Sequence, residues 1–322
     1  APSALTDAVI VGLDVEWWEW DKDDLTELGV SILDTRLIPW TATIIQALSS
    51  VYTYHFRIKE NAHLVNTDLC PGSPDNFQFG ITKFINKEQA RDMLLKAFTW
   101  PLREDTSELR PVIFVGHAVD NDIAMLQQHF GIDISALGCI VATVDTQQMA
   151  IEAGIRAKKQ GVIGLRDLIG WFKVDVDPGE LHTAGNDVAY TMIAAFLCAH
   201  KATKIIYPHQ SVIKFILNRL KYRDHRLVDS RFGTEVFCTL CDSEEHMEQD
   251  CKEFVLCEKC GLYPRRVDQA MEHKTEKCVA GLKDLHSQSA SPMKYPIPCQ
   301  DCIMSISPDR FSKAYSHLTE DC

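Results

Sequence analysis

Val9-Ile10-Val11-Gly12-Leu13-Asp14-Val15-Glu16-Trp17-Trp18-Glu19-Trp20 decides how the rest of the chain is read. Its apolar, β-branched run ends in two carboxylates spaced i, i+2, and in an extended chain that spacing turns both side chains to one face. Two such groups at a strand end repel each other. Either one takes up a proton or a hard, oxygen-ligated cation such as Mg²⁺ or Mn²⁺ lies between them. Asp-x-Glu alone is also compatible with an acidic edge strand, so its meaning depends on the company it keeps in the remainder of the chain.

Downstream, Leu25–Arg36 and Val51–Lys59 read as two further strands, with Asp21-Lys22-Asp23-Asp24 as the turn before the first of them; together with Val9–Glu16 they suggest an antiparallel meander. Asn61–Gly80 is irregular, and Lys87–Leu102 has helical apolar spacing ended by Pro101. Strands and helices then alternate: Pro111–Gly116 strand, Asp122–Phe130 helix, Cys139–Val144 strand, Gly164–Phe172 helix and Ala184–His200 a long apolar helix. That order predicts an α/β fold, a mixed sheet with three antiparallel and then parallel strands flanked by helices.

Of the 322 residues, 33 are Lys or Arg and 45 Asp or Glu, for a net charge of −12. The imbalance is local. Residues 1–200 carry 15 basic against 27 acidic side chains, 201–231 carry 8 against 2, and 232–322 carry 10 against 16. Bulk charge therefore excludes a coat protein for nucleic acid and leaves one basic bridge between two acidic blocks. Within that bridge, Val212, Phe215, Ile216 and Leu220 form a helical stripe with Lys214, Arg219 and Lys221 off it. No apolar run approaches a membrane span or a signal sequence core.

Nine of the twelve cysteines crowd into residues 238–322. They fall as Cys238, Cys241, His246, Cys251, then Cys257, Cys260, His273, Cys278, then Cys299, Cys302, His317, Cys322. A disulfide framework has no reason to repeat the order Cys-x-x-Cys, His, Cys. Three thiolates and one imidazole make a closed tetrahedral zinc set, so three Zn²⁺ and a reducing, intracellular compartment, cytoplasmic or nuclear, are expected. Spacing leaves sequential and cross-braced pairing both open. The first set has the spacing of a CCHC knuckle, but Asp242, Glu244, Glu245, Glu248 and Asp250 between its ligands offer no phosphate grip. The second is similar to TRAF-type fingers, which mostly contact proteins, and the third loosely so. The chain thus divides into residues 1–204, a basic linker helix at 205–232 and a zinc region at 233–322.

Two more stretches stand in order behind Asp14-Val-Glu16. Gly116-His117-Ala118-Val119-Asp120-Asn121-Asp122 comes after the fourth strand, and His182-Thr183-Ala184-Gly185-Asn186-Asp187 opens the last helix. With the first strand they resemble the three motifs of the DEDDh exonucleases, the DnaQ-like branch of the ribonuclease H-like superfamily. The resemblance covers residues 8–200. Asp-Val-Glu before an aromatic, Thr26-Glu27-Leu28-Gly29 and Phe77-Gln78-Phe79-Gly80 resemble the QIP-type fungal branch, which works in RNA silencing.

The resemblance implies that Asp14, Glu16, Asp122 and Asp187 hold two Mg²⁺ or Mn²⁺ ions and that His182 is the general base for 3′→5′ hydrolysis. Gly-His-Ala before Asp122 is most like the members that trim RNA, so single-stranded or short RNA is the expected substrate; a 3′→5′ DNA exonuclease and a non-catalytic adaptor working through its zinc fingers are the alternatives. Asp120, Asp145 and His117 are expected to be structural neighbours. Where most relatives continue with small residues after Glu16, this chain has tryptophans, and Trp17 or Trp18 is expected to stack on the terminal base. Arg156, Lys158 and Lys159 are candidate phosphate contacts, and a protein partner for the zinc region is expected.

Overall fold

In the computed structural model, residues 7–39, 41–104, 106–157, 161–203, 209–222, 232–262, 268–271 and 273–278 are described. The chain divides into two compact units, Ala1–Glu235 and Val236–Cys322.

In the first unit, six strands form one sheet: β1 (Val9–Trp18), β2 (Asp21–Asp34), β3 (Tyr52–Ile58), β4 (Thr82–Ile85), β5 (Val112–Gly116) and β6 (Ile140–Asp145), in the spatial order β4-β3-β2-β1-β5-β6. β1 pairs antiparallel with β2, and β2 with β3, whereas β1–β5, β5–β6 and β3–β4 are parallel. The meander and the parallel continuation are therefore both present. β4 and a five-residue helix, α1 (Ile44–Leu48), are additions to the sequence reading. Asp21–Asp24 do not form the turn: they open β2, and the chain reverses at Glu19 and Trp20 instead. Register breaks at Glu16/Trp17 and Trp17/Trp18 let Trp18 pair with Asp21, so ladder hydrogen bonding overrides the local preference of an acidic tetrapeptide for a turn.

Helices cover both faces of the sheet. Val9, Val11, Leu13 and Val15 of β1 point to the face packed by α2 (Lys87–Phe98) and α3 (Asp120–Phe130), through Leu94, Phe98, Leu126 and Phe130. The opposite face takes α1, α4 (Thr146–Glu152), α5 (Leu165–Trp171), α6 (Ala184–Ala202) and α7 (Gln210–Lys221). Every residue of α6 from Ala184 to Ala195 is buried, as expected of a helix apolar all round. It lies against β1, β2, β3 and β5. Two glycines permit the approach. A Cβ on Gly29 of β2 would stand 1.9 Å from the Ala184 carbonyl oxygen, and one on Gly185 would stand 2.6 Å from His55 Cβ and 2.7 Å from the Phe77 ring.

α7 docks with Ile213, Ile216, Leu217 and Leu220 buried. The stripe is rotated by about one residue from the one expected: Phe215 is 57% exposed, and Ile213 and Leu217 take the inward positions. Lys221 bridges to the buried Glu180 at 2.6 Å, so that cation is committed to the fold rather than to a polyanion.

Among the described residues of the second unit, Cys257, Cys260 and Ala270 form a buried cluster. Among the described residues no helix is long and apolar enough to cross a membrane.

Candidate active site and metal centres

Strand alternation puts Asp14 and Glu16 of β1 on the face occupied by α6. Gly12, two residues earlier on that face, already lies against Val188 and Met192. The N-terminus of α6 is pinned there by Glu27 of β2, which stands opposite Glu16 in the ladder. Glu27 accepts from the Ala184 backbone N–H at 3.1 Å and from His55 Nε2 at 2.8 Å, while His55 Nδ1 contacts Thr82 Oγ1 at 2.9 Å. Asp187, in the first turn of α6, is thereby carried to the two β1 carboxylates. Ligand atoms of Glu16, His182 and Asp187 lie within 4.8 Å of one another. Asp122 enters from the first turn of α3; it is 5% exposed and accepts from the Val15 backbone N–H.

Burial pushes the Asp14, Glu16 and Asp122 carboxyls well above the ordinary carboxylate range. The other acids push the same way: Asp187 and Glu27 act on both β1 groups, and Asp145 acts on Asp122. Asp187 is pushed up to about 7 by burial, with Glu27 adding to the shift and the His182 N–H and Arg166 opposing it. Asp14 Oδ2 and Asp187 Oδ1 are buried without a hydrogen-bond partner. Oxygens left bare among like charges cost several kcal/mol unless a cation or proton arrives. The donor set is oxygen-rich and acidic, so it fits hard divalent cations.

His182 sits in the left-handed region at φ +65°, which only a well-determined loop imposes on a non-glycine residue. Its backbone N–H donates to Asp187 Oδ2 at 3.1 Å, and its Nδ1 contacts Cys70 Sγ at 3.1 Å. The loop carrying Cys70 is clasped at both ends. Glu19 accepts backbone N–H groups from Thr67, Asp68 and Cys70 at 2.9, 3.0 and 3.1 Å and from Leu69 as well, and Asn66 bonds the backbone of Trp17 and Glu19. Although burial acts upward on Glu19, those amides hold its carboxyl below the usual range. At the other end Thr183 Oγ1 donates to the Ser73 carbonyl at 2.8 Å, and a Cβ on Gly72 would stand 2.5 Å from the His182 carbonyl oxygen. Burial, with the nearby Arg166 charge, lowers the His182 pKa below that of a free imidazole, favouring the neutral form that can accept a proton.

His117 and Asp145 make local contacts at the end of β5 and the start of α3. His117 Nδ1 meets Thr146 Oγ1 at 2.7 Å, and Asp145 accepts from the backbone of Ala118, Val119 and Gln147, fixing the loop that leads into α3. Asp120 is exposed and Asp122 buried.

The aromatic expectation needs correction. Trp18 is 1% exposed and belongs to the interior, and Trp17 packs with the apolar cluster on the opposite face of the sheet with Lys22 Nζ 5.5 Å from its ring centroid. Trp18 therefore offers no open ring face to a base. Arg156 is exposed, and Lys158 and Lys159 lie outside the described residues. Among the described residues, the charge of Arg166 on α5 acts on both His182 and Asp187. Sequence reading also passed over Glu27, His55, Glu19 and Cys70. The Thr-Glu-Leu-Gly tetrapeptide was the available signal for Glu27, since an acid two residues before a glycine on a buried strand wants a partner.

In the second unit Cys238, Cys241, His246 and Cys251 converge, as do Cys257, Cys260, His273 and Cys278, each set with ligand atoms within 4.8 Å. Pairing is thus sequential, not cross-braced, and the sets fit zinc fingers. Cys260 Sγ lies 3.5 Å from Cys278 Sγ, far beyond a disulfide bond. The third set, Cys299, Cys302, His317 and Cys322, lies outside the described residues, as do Arg265 and Arg266 in the second finger.

A mixed six-stranded sheet flanked by helices, with acidic side chains from β1, α3 and α6 brought close together, is the arrangement on which the family comparison bears. Residues 9–198 match the DEDDh_C family model, described as DNA polymerase III subunit epsilon-like, C-terminal domain, and the chain belongs to that family. It is 25% identical over 203 residues to the Saccharomyces cerevisiae uncharacterized protein YDR514C, covering 58% of this chain and 40% of that one. It is 27% identical over 196 residues to the Schizosaccharomyces pombe uncharacterized nucleolar protein C2C4.08, covering 59% of this chain and 69% of that one. A solved structure of the Saccharomyces cerevisiae Pan2 pseudoubiquitin hydrolase–RNA exonuclease module with AAGGA RNA is 13% identical, at a TM-score of 0.34, over 66% of this chain and 31% of its own. A likeness that low has no bearing on substrate.

Proposed function

We propose that the chain is a metal-dependent 3′→5′ exonuclease acting on single-stranded or short RNA. The observation that carries the reading is the mutual approach of Asp14, Glu16, Asp122 and Asp187, in which Asp14 and Asp187 each keep one bare buried oxygen and Glu16, Asp187 and His182 bring ligand atoms within 4.8 Å of one another. In this reading Asp14, Glu16, Asp122 and Asp187 hold two Mg²⁺ or Mn²⁺ ions, which when bound supply an activated water and charge neutralisation at the leaving 3′ oxygen. His182 takes the proton from that water. With Nδ1 engaged by Cys70, Nε2 is the ring nitrogen that receives it. Asp187 fixes the histidine by accepting its backbone N–H, and Glu27 fixes Asp187 by holding the start of α6. Arg166 steers the phosphate backbone toward the carboxylates it would otherwise avoid.

RNA is preferred to DNA on the strength of Gly116-His117-Ala118 ahead of Asp122. The fission-yeast relative is named as nucleolar, and we extend an intracellular location to this chain. Three Zn²⁺ in the second unit, with a docked protein partner, complete the proposal.

The test is incubation of 3′-labelled RNA and DNA of matched sequence with Mg²⁺ or Mn²⁺. Wild type should release labelled mononucleotides faster from RNA, and Asp14→Ala and His182→Ala should lose at least about 100-fold, the scale of a general-base contribution. Equal release by all three proteins, or none by any, removes the enzyme and leaves an adaptor.

A further inference from the structure

Residues 173–183 form neither helix nor strand. They nonetheless hold His182 in a left-handed backbone conformation, φ +65°, which persists only where the surroundings over-determine it. At the middle of that hold is Glu180, a carboxylate 2% exposed that the chemistry described above does not use. We propose that Glu180 is a positioning residue for His182 and that Lys221 of α7 locks it in place, so that the basic helix serves the reaction through its packing and not through phosphate contact.

Glu180 is tied through both its backbone and its side chain. Its carbonyl accepts from Asn186 Nδ2 at 2.7 Å; Asn186, fully buried, also donates to the Asn76 carbonyl at 2.8 Å and accepts the Gln78 N–H at 2.9 Å. The Glu180 carboxylate accepts from the Tyr190 hydroxyl on one oxygen and from Lys221 Nζ, at 2.6 Å, on the other. Burial and the Glu180 charge push the Tyr190 pKa up, which keeps that hydroxyl a donor. Phe79 backs the pair, with the Tyr190 ring edge-on at 5.4 Å between centroids and Lys221 Nζ 5.9 Å from its own. Asn186 and Tyr190 stand on either side of Asp187 in α6. The segment that ends in His182 is therefore fastened to the same helix that carries the carboxylate accepting the His182 amide at 3.1 Å.

Lys221 comes from farther along the chain. It lies beyond residues 9–198, the stretch that matches the family, and α7 places it by burying Ile213, Ile216, Leu217 and Leu220. A buried carboxylate deprived of its cation takes up a proton or turns toward water. Either response loosens Glu180 two residues from His182, whose ring must stay aligned for proton transfer. Asp14, Glu16 and Asp122 are placed by β1 and α3, so the expected signature is slower chemistry with metal binding retained. The anchoring stands on this geometry, while its effect on rate rests on the nuclease reading given above.

The experiment uses the full chain as wild type, Lys221→Met, Lys221→Arg and the double variant Glu180→Gln/Lys221→Met, which removes both charges together and so buries no unpaired acid. Hydrogen–deuterium exchange at residues 181–183 reads the anchoring, and RNA trimming reads its consequence. Lys221→Met should raise exchange there at least about tenfold while β1 is unchanged. It should lower kcat at least about tenfold, against the roughly 100-fold that a full ångström of misplacement costs, with KM and Mg²⁺ affinity within about twofold of wild type. Lys221→Arg should restore both readings. In a His182→Ala background Lys221→Met should cost little more, because groups that act as a unit do not add. The double variant should show the same two changes as Lys221→Met and takes its place if that chain melts below the assay temperature. Unchanged exchange at 181–183 in a folded variant, or an equal rise across β1, overturns the anchoring. Wild-type kcat in such a variant, or a loss as large without His182 as with it, overturns the positioning role. A wild type that trims nothing, with exchange still raised by the substitution, sinks the nuclease reading and leaves the anchoring standing.

Discussion

Replacing Gly29 with Ala tests whether the sheet–helix contact sets the catalytic geometry. A Cβ at this position would lie 1.9 Å from the Ala184 carbonyl oxygen, 2.3 Å from its carbonyl carbon and 2.8 Å from the Gly185 nitrogen. All three are backbone atoms, so no side chain can swing aside. Restoring an ordinary contact of 3.4 Å from 1.9 Å moves the start of α6 outward by about 1.5 Å. Asp187 lies in that first turn, and His182 is tied to it through its amide. Displacements near 1 Å from productive geometry cost on the order of 100-fold in rate, and overpacking a filled core costs typically about 1–3 kcal/mol. Gly29→Ala is therefore predicted to stay folded with a lower melting temperature and to lose at least about 100-fold in kcat. Gly12→Ala is the control, because its nearest atoms, at 3.0–3.2 Å, belong to the side chains of Val188 and Met192. Label release and thermal unfolding on the three proteins decide the matter. Wild-type kcat in Gly29→Ala would show that α6 does not depend on that contact.

Other perturbations probe the same geometry. Glu27→Ala removes the acceptor of the Ala184 amide and the partner of His55 Nε2, so a stability loss of about 1–3 kcal/mol is expected by denaturant melts, together with a fall in kcat. Arg166→Ala should raise KM for RNA with kcat nearly retained, and its effect should shrink as salt is added, because the side chain is exposed. In the chelated enzyme the raised pKa of Asp187, about 7, means that the folded state holds a proton the unfolded state has released. Stability should then fall as pH climbs from about 4 toward about 7, and Mg²⁺ or Mn²⁺ should restore it at the upper end; a flat melting profile over that range contradicts the buried cluster. Stripping zinc, or Cys257→Ser, should open the second unit to protease around residues 236–278, since the two Cys3His sets there converge on positions that metal would tie together.

Much of the sheet was legible because alternation and periodicity are local. The β1 run, the β2–β3 meander and the largely apolar α6 come from side-chain pattern alone, and the order of three motifs pointed to the family. β4 was hidden because Thr82–Ile85 is only four residues long and is held by parallel pairing with β3 and a bridge from Phe84 to Thr234. Asp21–Asp24 misled because a run of acids favours a turn in isolation, whereas the ladder with β1 decides its conformation. In α7 the apolar residues 212, 213, 215, 216, 217 and 220 allow more than one inward face, and packing chose Ile213 and Leu217 over Phe215.

By itself the sequence determined the chemistry available to this protein: which acids, thiols and imidazoles it carries, and in what order. Tertiary structure alone decided which of them meet. That Glu27 anchors α6, that Trp18 is sealed inside, that the Arg166 charge acts on Asp187 and His182, and that Cys70 meets His182 across 112 residues are facts of long-range packing. Sequence patterns record a residue's own element, and contacts between elements depend on close-packed shapes that no local window contains.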